Sequence, residues 1–238
     1  MTVIYRCPKC DARFDPPRAE ESDCPRCGIW FHKWNVVAEA LPPEEIHPLV
    51  VPAEAPDSLS YYGRAIALVF VALWGIRLAA MDYGEGEIGG SFMHNIVLPI
   101  HEAGHVFFMP FGEFLAILGG SLFQVALPLG IGAAFLWRQR DAFGAAICLW
   151  WAGASLVDVA PYIWDSLNPQ LILLGGHTGE DGPHDWIYLL GRLGAIKNAH
   201  AWGATAHHIG TLMMIAGVLW GGRWLWRWRG VIKPGSSN

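Results

Sequence analysis

The stretch that decides the fold is residues 92–111, which read FMHNIVLPIHEAGHVFFMPF. It has about the 20 residues that a helix needs to cross the hydrocarbon core of a bilayer, and most of them are apolar. Polar side chains interrupt it in the motif His-Glu-Ala-Gly-His at residues 101–105. Two imidazoles and a carboxyl group inside such a span are costly unless they pair with one another or bind a metal. This stretch therefore predicts a membrane helix that contains a functional site.

Apolar stretches of similar length lie on both sides of this helix. After residue 60 the chain contains five of them, at about residues 63–81, 92–111, 113–137, 142–164 and 200–222. Of the 238 residues, 53% are apolar and 16% are charged, whereas an ordinary soluble domain has about 25% charged residues. Residues 61–238 are therefore predicted to form an all-α membrane bundle of about four to six transmembrane or re-entrant helices, in contact with lipid.

Charge along the chain bears on orientation and on partners. Residues 223–229 form a basic, aromatic segment after the last apolar stretch, which the positive-inside rule places in the cytosol. Five full crossings from a cytosolic N-terminus would place it outside, so either the rule fails here or one segment is re-entrant, residues 92–111 or 166–193. The net charge of -5 provides no basic surface for a nucleic acid. We expect an integral protein of a prokaryotic cytoplasmic membrane with its N-terminus in the cytosol.

Four of the five cysteines form two Cys-x-x-Cys pairs near the N-terminus, namely Cys7, Cys10, Cys24 and Cys27. Four thiolates at this spacing can hold a tetrahedral zinc ion, whose binding energy folds a segment too small to build a core. A redox dithiol is the alternative, but two evenly built pairs suit a closed site better. We predict a zinc ribbon over residues 1–34, which could also dock a protein partner, and a Pro-rich linker over residues 35–60.

The motif at residues 101–105 carries the chemistry. On a helix its two histidines lie one turn apart on one face, where both can bind a single zinc ion. Glu102 lies beside them, where it can take a proton from water as a general base. A cluster of hydrogen bonds between helices is the plainer alternative, although such bonds contribute only about 1 kcal/mol. We expect His101 and His105 to bind a catalytic zinc ion, with Glu102 as the catalytic residue.

Residues 92–166 resemble a known family in three features. The motif lies within an apolar helix, a Gly-rich helix follows it, and a later helix carries aspartates. The chain resembles the site-2 proteases, which are intramembrane zinc metalloproteases. The resemblance implies an endopeptidase that hydrolyses a peptide bond in or near the membrane segment of another membrane protein. It implies His101 and His105 as zinc ligands, Glu102 as the catalytic base, and an aspartate of the later helix as third ligand. The family's Asp-Gly pattern is incomplete here, because no glycine follows Asp165.

Four residues compete for the position of third ligand. Because a helix rises 1.5 Å per residue, the motif centre lies roughly 17 Å into its span, Asp158 roughly 24 Å into its own, and Asp165 roughly 35 Å. If the two helices are parallel and start at the same level, Asp158 is the closest match. Asp165 could instead orient a ligand or guard the entrance. His184 and Asp185 complete the set of four, since their loop could fold back over the metal.

Two different functions stay open beside the protease. A membrane di-iron oxidase or hydroxylase would bind two irons through histidine boxes, here His101, His105, His184, His207 and His208. A non-catalytic membrane anchor that presents the zinc ribbon would need no metal at residues 101–105. His94, near the start of its helix, is interpreted as an interfacial residue.

Overall fold

The computed structural model describes residues 3–33 and 56–230. They belong to two compact units, Met1–His47 and Pro48–Asn238. Most of the predicted linker, residues 35–60, lies outside the described residues. Its predicted end is too late in the sequence, because a helix already begins at Ser58, with the Asp57 side chain accepting a hydrogen bond at its N-terminus.

The first unit contains a two-stranded antiparallel sheet, with β1 at Val3–Arg6 and β2 at Arg13–Ala19. Its buried cluster is small and consists of Cys7, Cys24 and Phe31, with a few half-buried apolar side chains around them. So small a cluster supplies little hydrophobic stabilisation, which agrees with a module that depends on its cysteines.

The second unit is mostly helical. Within residues 56–230 its α-helices are α1 Ser58–Ala79, α2 Phe92–Phe108, α3 Glu113–Ala134, α4 Ala142–Asp165, α5 Asp185–Arg192 and α6 Ala199–Trp228. A π-helical turn, Phe135–Gln139, extends α3. The five predicted apolar stretches match α1, α2, α3, α4 and α6 closely, although α6 continues through the predicted basic segment. The prediction of a mostly helical chain with an N-terminal four-cysteine module is confirmed.

Three of these helices are long and apolar enough to cross a membrane, namely α1, the extended α3 over Glu113–Gln139, and α4. Helix α2 has only 17 residues, and α6 is less apolar. Helix α4 lies at the centre of the unit, since 72% of its most apolar segment is buried within the protein, against 17% for α1. Side chains on α4 are therefore held by neighbours on several sides.

Glycines allow α4 and α6 to lie in close contact. Gly203, Gly210 and Gly217 recur every seven residues on α6 and so face one side of the helix. A Cβ at Gly210 would lie 2.6 Å from the carbonyl oxygen of Gly153, and the other two glycines face α4 carbonyls in the same way. The absence of side chains along this line brings the two backbones together and fixes the position of α4.

Helices α2 and α3 meet in the same manner, directly at the motif. A Cβ at Gly119 of α3 would lie 2.7 Å from the carbonyl oxygen of Gly104, which is the glycine of the motif. The backbone of α3 is thus held against the face of α2 that carries His101 and His105.

Candidate metal centre

His101 and His105 lie one turn apart on α2, as the spacing predicts, and their rings meet edge to face at 4.7 Å between centroids. Ligand atoms of His101, Glu102 and His105 all lie within 4.8 Å of one another. The motif therefore forms a compact group that could hold a metal ion.

A carboxylate from elsewhere in the chain completes this group. Oδ2 of Asp185, the first residue of α5, lies 3.1 Å from Nε2 of His101 and 3.2 Å from Nε2 of His105. Burial raises the pKa of this carboxyl group, but the hydrogen bonds with the two histidines outweigh burial and lower the pKa to about 2. Asp185 is therefore ionised at neutral pH, as a metal ligand must be. Because its oxygen reaches both imidazoles, Asp185 is a better third ligand than Glu102.

The distances from Oδ2 of Asp185 to the two Nε2 atoms fit a zinc ion. Tetrahedral zinc, with bonds of about 2.0–2.1 Å to nitrogen and oxygen, places neighbouring ligands roughly 3.3 Å apart. Gly120 on α3 leaves the space between the imidazoles free, because a Cβ there would lie 2.5 Å from Nε2 of His101 and 2.6 Å from Nε2 of His105. Two histidines and one carboxylate are also a ligand set typical of catalytic zinc.

The second ring nitrogen of each histidine is occupied. Nδ1 of His101 lies 2.7 Å from Oε1 of Gln124, and Nδ1 of His105 lies 2.9 Å from the carbonyl oxygen of Ala116. Since both partners are acceptors, each Nδ1 carries a hydrogen, and Nε2 is the nitrogen left for a metal, which would replace the proton that Nε2 shares with Asp185. Helix α3 thus orients both imidazoles.

Asp158, the closest match by depth, lies elsewhere in the same network. Its Oδ1 is 3.0 Å from Nδ1 of His94, and its Oδ2 is 3.5 Å from Nε2 of Gln124. Gln124 also donates a hydrogen bond of 3.0 Å to the carbonyl oxygen of Ser155. Asp158 is therefore connected to His101 through Gln124 and does not meet the imidazole pair. His94, interpreted as interfacial, is instead the partner of a buried carboxylate.

The depth comparison favours Asp158 over Asp185 as third ligand because of what it assumes. It assumes that this ligand lies on a spanning helix parallel to α2 and starting at the same level. Asp185 instead begins a short helix that follows the loop of residues 166–184, so its depth is unrelated to its distance along any span. Its contact with both imidazoles therefore makes Asp185 a stronger candidate for the third ligand than Asp158.

Asp165 and His184 are the other two candidates for the third ligand, and their side chains contact each other. Nε2 of His184 lies 3.3 Å from Oδ2 of Asp165, and both side chains are buried. The Asp165 carboxylate also accepts backbone hydrogen bonds from Gln170 and Leu171, so it faces the loop. These residues do not meet the imidazole pair.

A cavity of about 620 Å³ opens beside the motif. Its polar lining comprises His94, His101, Glu102, His105, Gln124, Asp158, Tyr162, His177 and Asp185. Much of the remaining wall is apolar and includes Leu98, Met109, Ile117 and residues 171–174. A molecule inside it would therefore meet both the motif, Glu102 included, and aliphatic side chains.

The four cysteines form the second group that could hold a metal. The sulfur atoms lie 3.6 Å apart in the pair Cys7 and Cys27 and 3.7 Å apart in the pair Cys10 and Cys24. Bonds of about 2.3 Å around tetrahedral zinc would place the sulfurs roughly 3.8 Å apart, so the cluster fits this ion. Burial raises the pKa of the Cys24 thiol, but hydrogen bonds from the backbone of Arg26 and of Cys27 lower it to about 7. Cys24 thus ionises before Cys27, whose thiol pKa burial raises to about 12.

The two cysteine pairs share the same backbone turn. Cys7 accepts from the N–H of Asp11 and Cys24 accepts from the N–H of Gly28, each four residues later, at 3.0 Å and 2.8 Å. Asp11 and Gly28 both have a positive φ, 62° and 70°. The same turn thus follows the first cysteine of each pair, which agrees with the predicted zinc ribbon.

His184, His207 and His208, the other histidines of the di-iron alternative, contact groups outside the motif. His200 stacks on Trp164 at 3.9 Å, and His207 lies against the ring of Tyr83 at 4.5 Å. Among residues 3–33 and 56–230, the four cysteines and the motif are the clusters of three or more potential metal ligands.

Sequence reasoning missed three residues of the centre. Gln124 has the clearest signal, because a side-chain amide in the middle of an apolar, Gly-rich helix needs partners. The sequence indicates Gly120 only as part of a close contact between helices. Tyr162, whose hydroxyl accepts the backbone N–H of Asp185 at 2.9 Å, has no sequence signal beyond its place on the same helix as Asp158.

In comparisons with known proteins, no family model, no curated protein and no solved structure matches the chain. The resemblance of residues 92–166 to site-2 proteases therefore stays a prediction.

Proposed function

We propose that this chain is a membrane-embedded zinc endopeptidase that hydrolyses a peptide bond in or near the membrane segment of another membrane protein. One observation carries the proposal: the carboxylate of Asp185 lies within 3.2 Å of both imidazoles of α2, at the wall of a cavity that Glu102 also lines. Three protein ligands leave a position open, which is the usual arrangement of catalytic rather than structural zinc.

His101, His105 and Asp185 would hold the ion. Zinc supplies Lewis acidity there, which polarises a peptide carbonyl and makes water acidic enough to act as a nucleophile near neutral pH. Gln124 and the carbonyl group of Ala116 keep both imidazoles in the tautomer that leaves Nε2 free. Gly120 keeps the position between them open.

Glu102 is the general base of this proposal. It follows His101 directly in the motif and lines the same cavity. Its carboxylate would take a proton from the attacking water as the oxygen bonds to the carbonyl carbon, then pass that proton to the leaving amine as the carbon–nitrogen bond breaks. Water is thus added across the peptide bond, and the glutamate is returned to its starting state.

The cavity wall supports an apolar peptide as substrate. Residues 171–174 line the cavity, and two of them, Ile172 and Leu174, remain 73% and 65% exposed at its side. Exposed aliphatic side chains next to a site commonly bind apolar partners. Together with three helices able to span a membrane, they favour a substrate segment drawn from the bilayer.

The N-terminal module would bind a structural zinc ion through its four cysteines. A cytosolic position suits it, because free thiolates persist in a reducing compartment. Its exposed aromatic side chains, Tyr5 and Trp30, could contact a protein partner.

The experiment that tests the proposal uses Glu102→Gln, which removes the base and keeps the size of the side chain. Fluorescently labelled transmembrane peptides are incubated with the purified full chain in bicelles containing ¹⁸O-labelled water. Wild-type protein should produce fragments with ¹⁸O in the new carboxylate, and the variant should cleave at least about 100-fold more slowly. Cleavage by the variant at the wild-type rate would overturn the mechanism.

Metal content provides the matching control. Wild-type and Glu102→Gln protein should each bind about two zinc ions, one at the cysteines and one at the motif. The double variant His101→Ala, His105→Ala should bind about one. Two iron ions in place of the second zinc would instead indicate oxidative chemistry.

A further inference from the structure

We propose that Asp165 is the positioning residue of the metal centre, acting through the loop of residues 166–184 to hold Asp185 against the two imidazoles. The inference rests on the metal centre of the proposed function. It concerns a residue at the end of α4 that meets neither histidine of the motif.

The carboxylate of Asp165 holds both ends of this loop. Its Oδ1 accepts the backbone N–H groups of Gln170 at 2.7 Å and of Leu171 at 3.0 Å, where the loop begins. Its Oδ2 lies 3.3 Å from Nε2 of His184, where the loop ends. One buried carboxylate thus contacts two points 13 residues apart, through a hydrogen bond at Leu171 and a close approach at His184, and these contacts restrict the segment between them.

His184 passes this restraint to its neighbour. Its Nδ1 accepts the N–H of Ile187 at 3.3 Å and so starts α5, which leaves Nε2 to carry the hydrogen that faces Asp165. The contact with Asp165 is close but not aligned as a hydrogen bond, and neither of its two atoms has another hydrogen-bond partner among the described residues. The imidazole is buried against the ring of Tyr162 at 4.3 Å between centroids. The next residue in the chain is Asp185.

Tyr162 makes the second restraint from the same helix. Its hydroxyl accepts the backbone N–H of Asp185 at 2.9 Å, and it lies three residues before Asp165, on the same face of α4. Both residues therefore hold the start of α5 from a helix that is itself fixed in the centre of the unit.

Such restraint is needed because α5 has only eight residues and follows a long loop. A ligand that shifts by about 1 Å is no longer within bonding distance. Substitution of a residue that orients a ligand commonly lowers metal affinity by about 10–100-fold. The same carboxylate also positions Leu171, so the apolar cavity wall and the third ligand share one support.

A double-mutant cycle tests whether Asp165 acts through Asp185. The full chain in detergent is first loaded with one equivalent of Zn²⁺ to fill the cysteines, and the second affinity is measured by competition with a chromophoric chelator. Asp165→Asn keeps the side-chain size but offers an amide to His184, and it should weaken this affinity about 10-fold. In the Asp185→Ala background the same substitution should change nothing further. An equal loss in both backgrounds would overturn the inference.

Asp158→Asn is the matched control, since it changes another buried carboxylate of α4 by the same chemistry. Asp158 is linked to His101 through Gln124, so any effect it has should be the same in both backgrounds. If Asp165→Asn fails to fold, Tyr162→Phe removes only the hydroxyl that holds Asp185 and should show the same cycle. An unchanged affinity in the single variants refutes the positioning role alone. The absence of a second zinc ion in wild-type protein refutes the metal centre as well.

Discussion

Oε1 of Gln124 lies 2.7 Å from Nδ1 of His101, and both side chains are buried. The amide does two things at once, because its nitrogen donates to the carbonyl oxygen of Ser155 while its oxygen accepts from the imidazole. Gln124 therefore connects α3 to α4 and sets the tautomer of a proposed metal ligand. These two roles can be separated by substitution.

Gln124→Leu removes all three hydrogen bonds of this side chain, whereas Gln124→Glu keeps the acceptor for His101 and loses the donor to Ser155 and Asp158. Both variants should lose stability, by about 1–3 kcal/mol, since a buried carbonyl group is left without its partner. Only the leucine variant should lose Zn²⁺ affinity at the motif, by about 10–100-fold, because His101 then lacks an acceptor. Denaturation in detergent and chelator competition measure the two effects. Equal zinc affinity in the two variants would contradict the orienting role.

Gly210 tests the contact between α4 and α6. A Cβ there would lie 2.6 Å from the carbonyl oxygen of Gly153 and 2.9 Å from a methyl group of Val157, so the helices must separate. We expect Gly210→Ala to lower the free energy of unfolding by about 1–3 kcal/mol. Gly222→Ala on the same helix is the control, because its Cβ would meet only Leu68 at 3.8 Å. It should leave stability unchanged or raise it slightly through helix propensity.

The helices could be predicted from the sequence because apolar length and helix-capping residues act locally. Asp57, Ser91 and Asp141 accept backbone hydrogen bonds at the starts of α1, α2 and α4, close to where the apolar stretches begin. The end of α6 was missed, since arginine and tryptophan alternate there without a residue that stops a helix, and it continues to Trp228.

The site could be predicted only in part. His101 and His105 are placed by the period of a single helix, so their proximity follows from the spacing. Asp185 is 84 residues from His101 in sequence, and its position depends on a loop whose path no periodicity describes. Tyr162 and Asp165, which place it, are also distant from it in the sequence. Their contacts involve buried polar atoms.

Cys24→Ser tests the four-cysteine cluster. Loss of one thiolate from a tetrahedral set should reduce bound zinc by about one ion per chain and remove the thiolate charge-transfer absorption of the cobalt-substituted protein. Cys148→Ser is the matched control, because this cysteine is buried in α4 near Gly132 and is not part of the cluster. It should leave zinc content unchanged. Loss of zinc in the control, or retention of two ions in Cys24→Ser, would contradict the assignment.

Gly120→Ala tests the metal centre with a single methyl group. The new Cβ would lie 2.5 Å and 2.6 Å from the two Nε2 atoms, in the space that the ion needs, so zinc at the motif should be lost while zinc at the cysteines remains. Gly130→Ala on the same helix is the control, since a Cβ there meets no atom within 4 Å. Alanine favours helix over glycine at both positions, so helix propensity cannot explain a difference between them. Two bound zinc ions in Gly120→Ala would mean that the imidazoles do not share a metal.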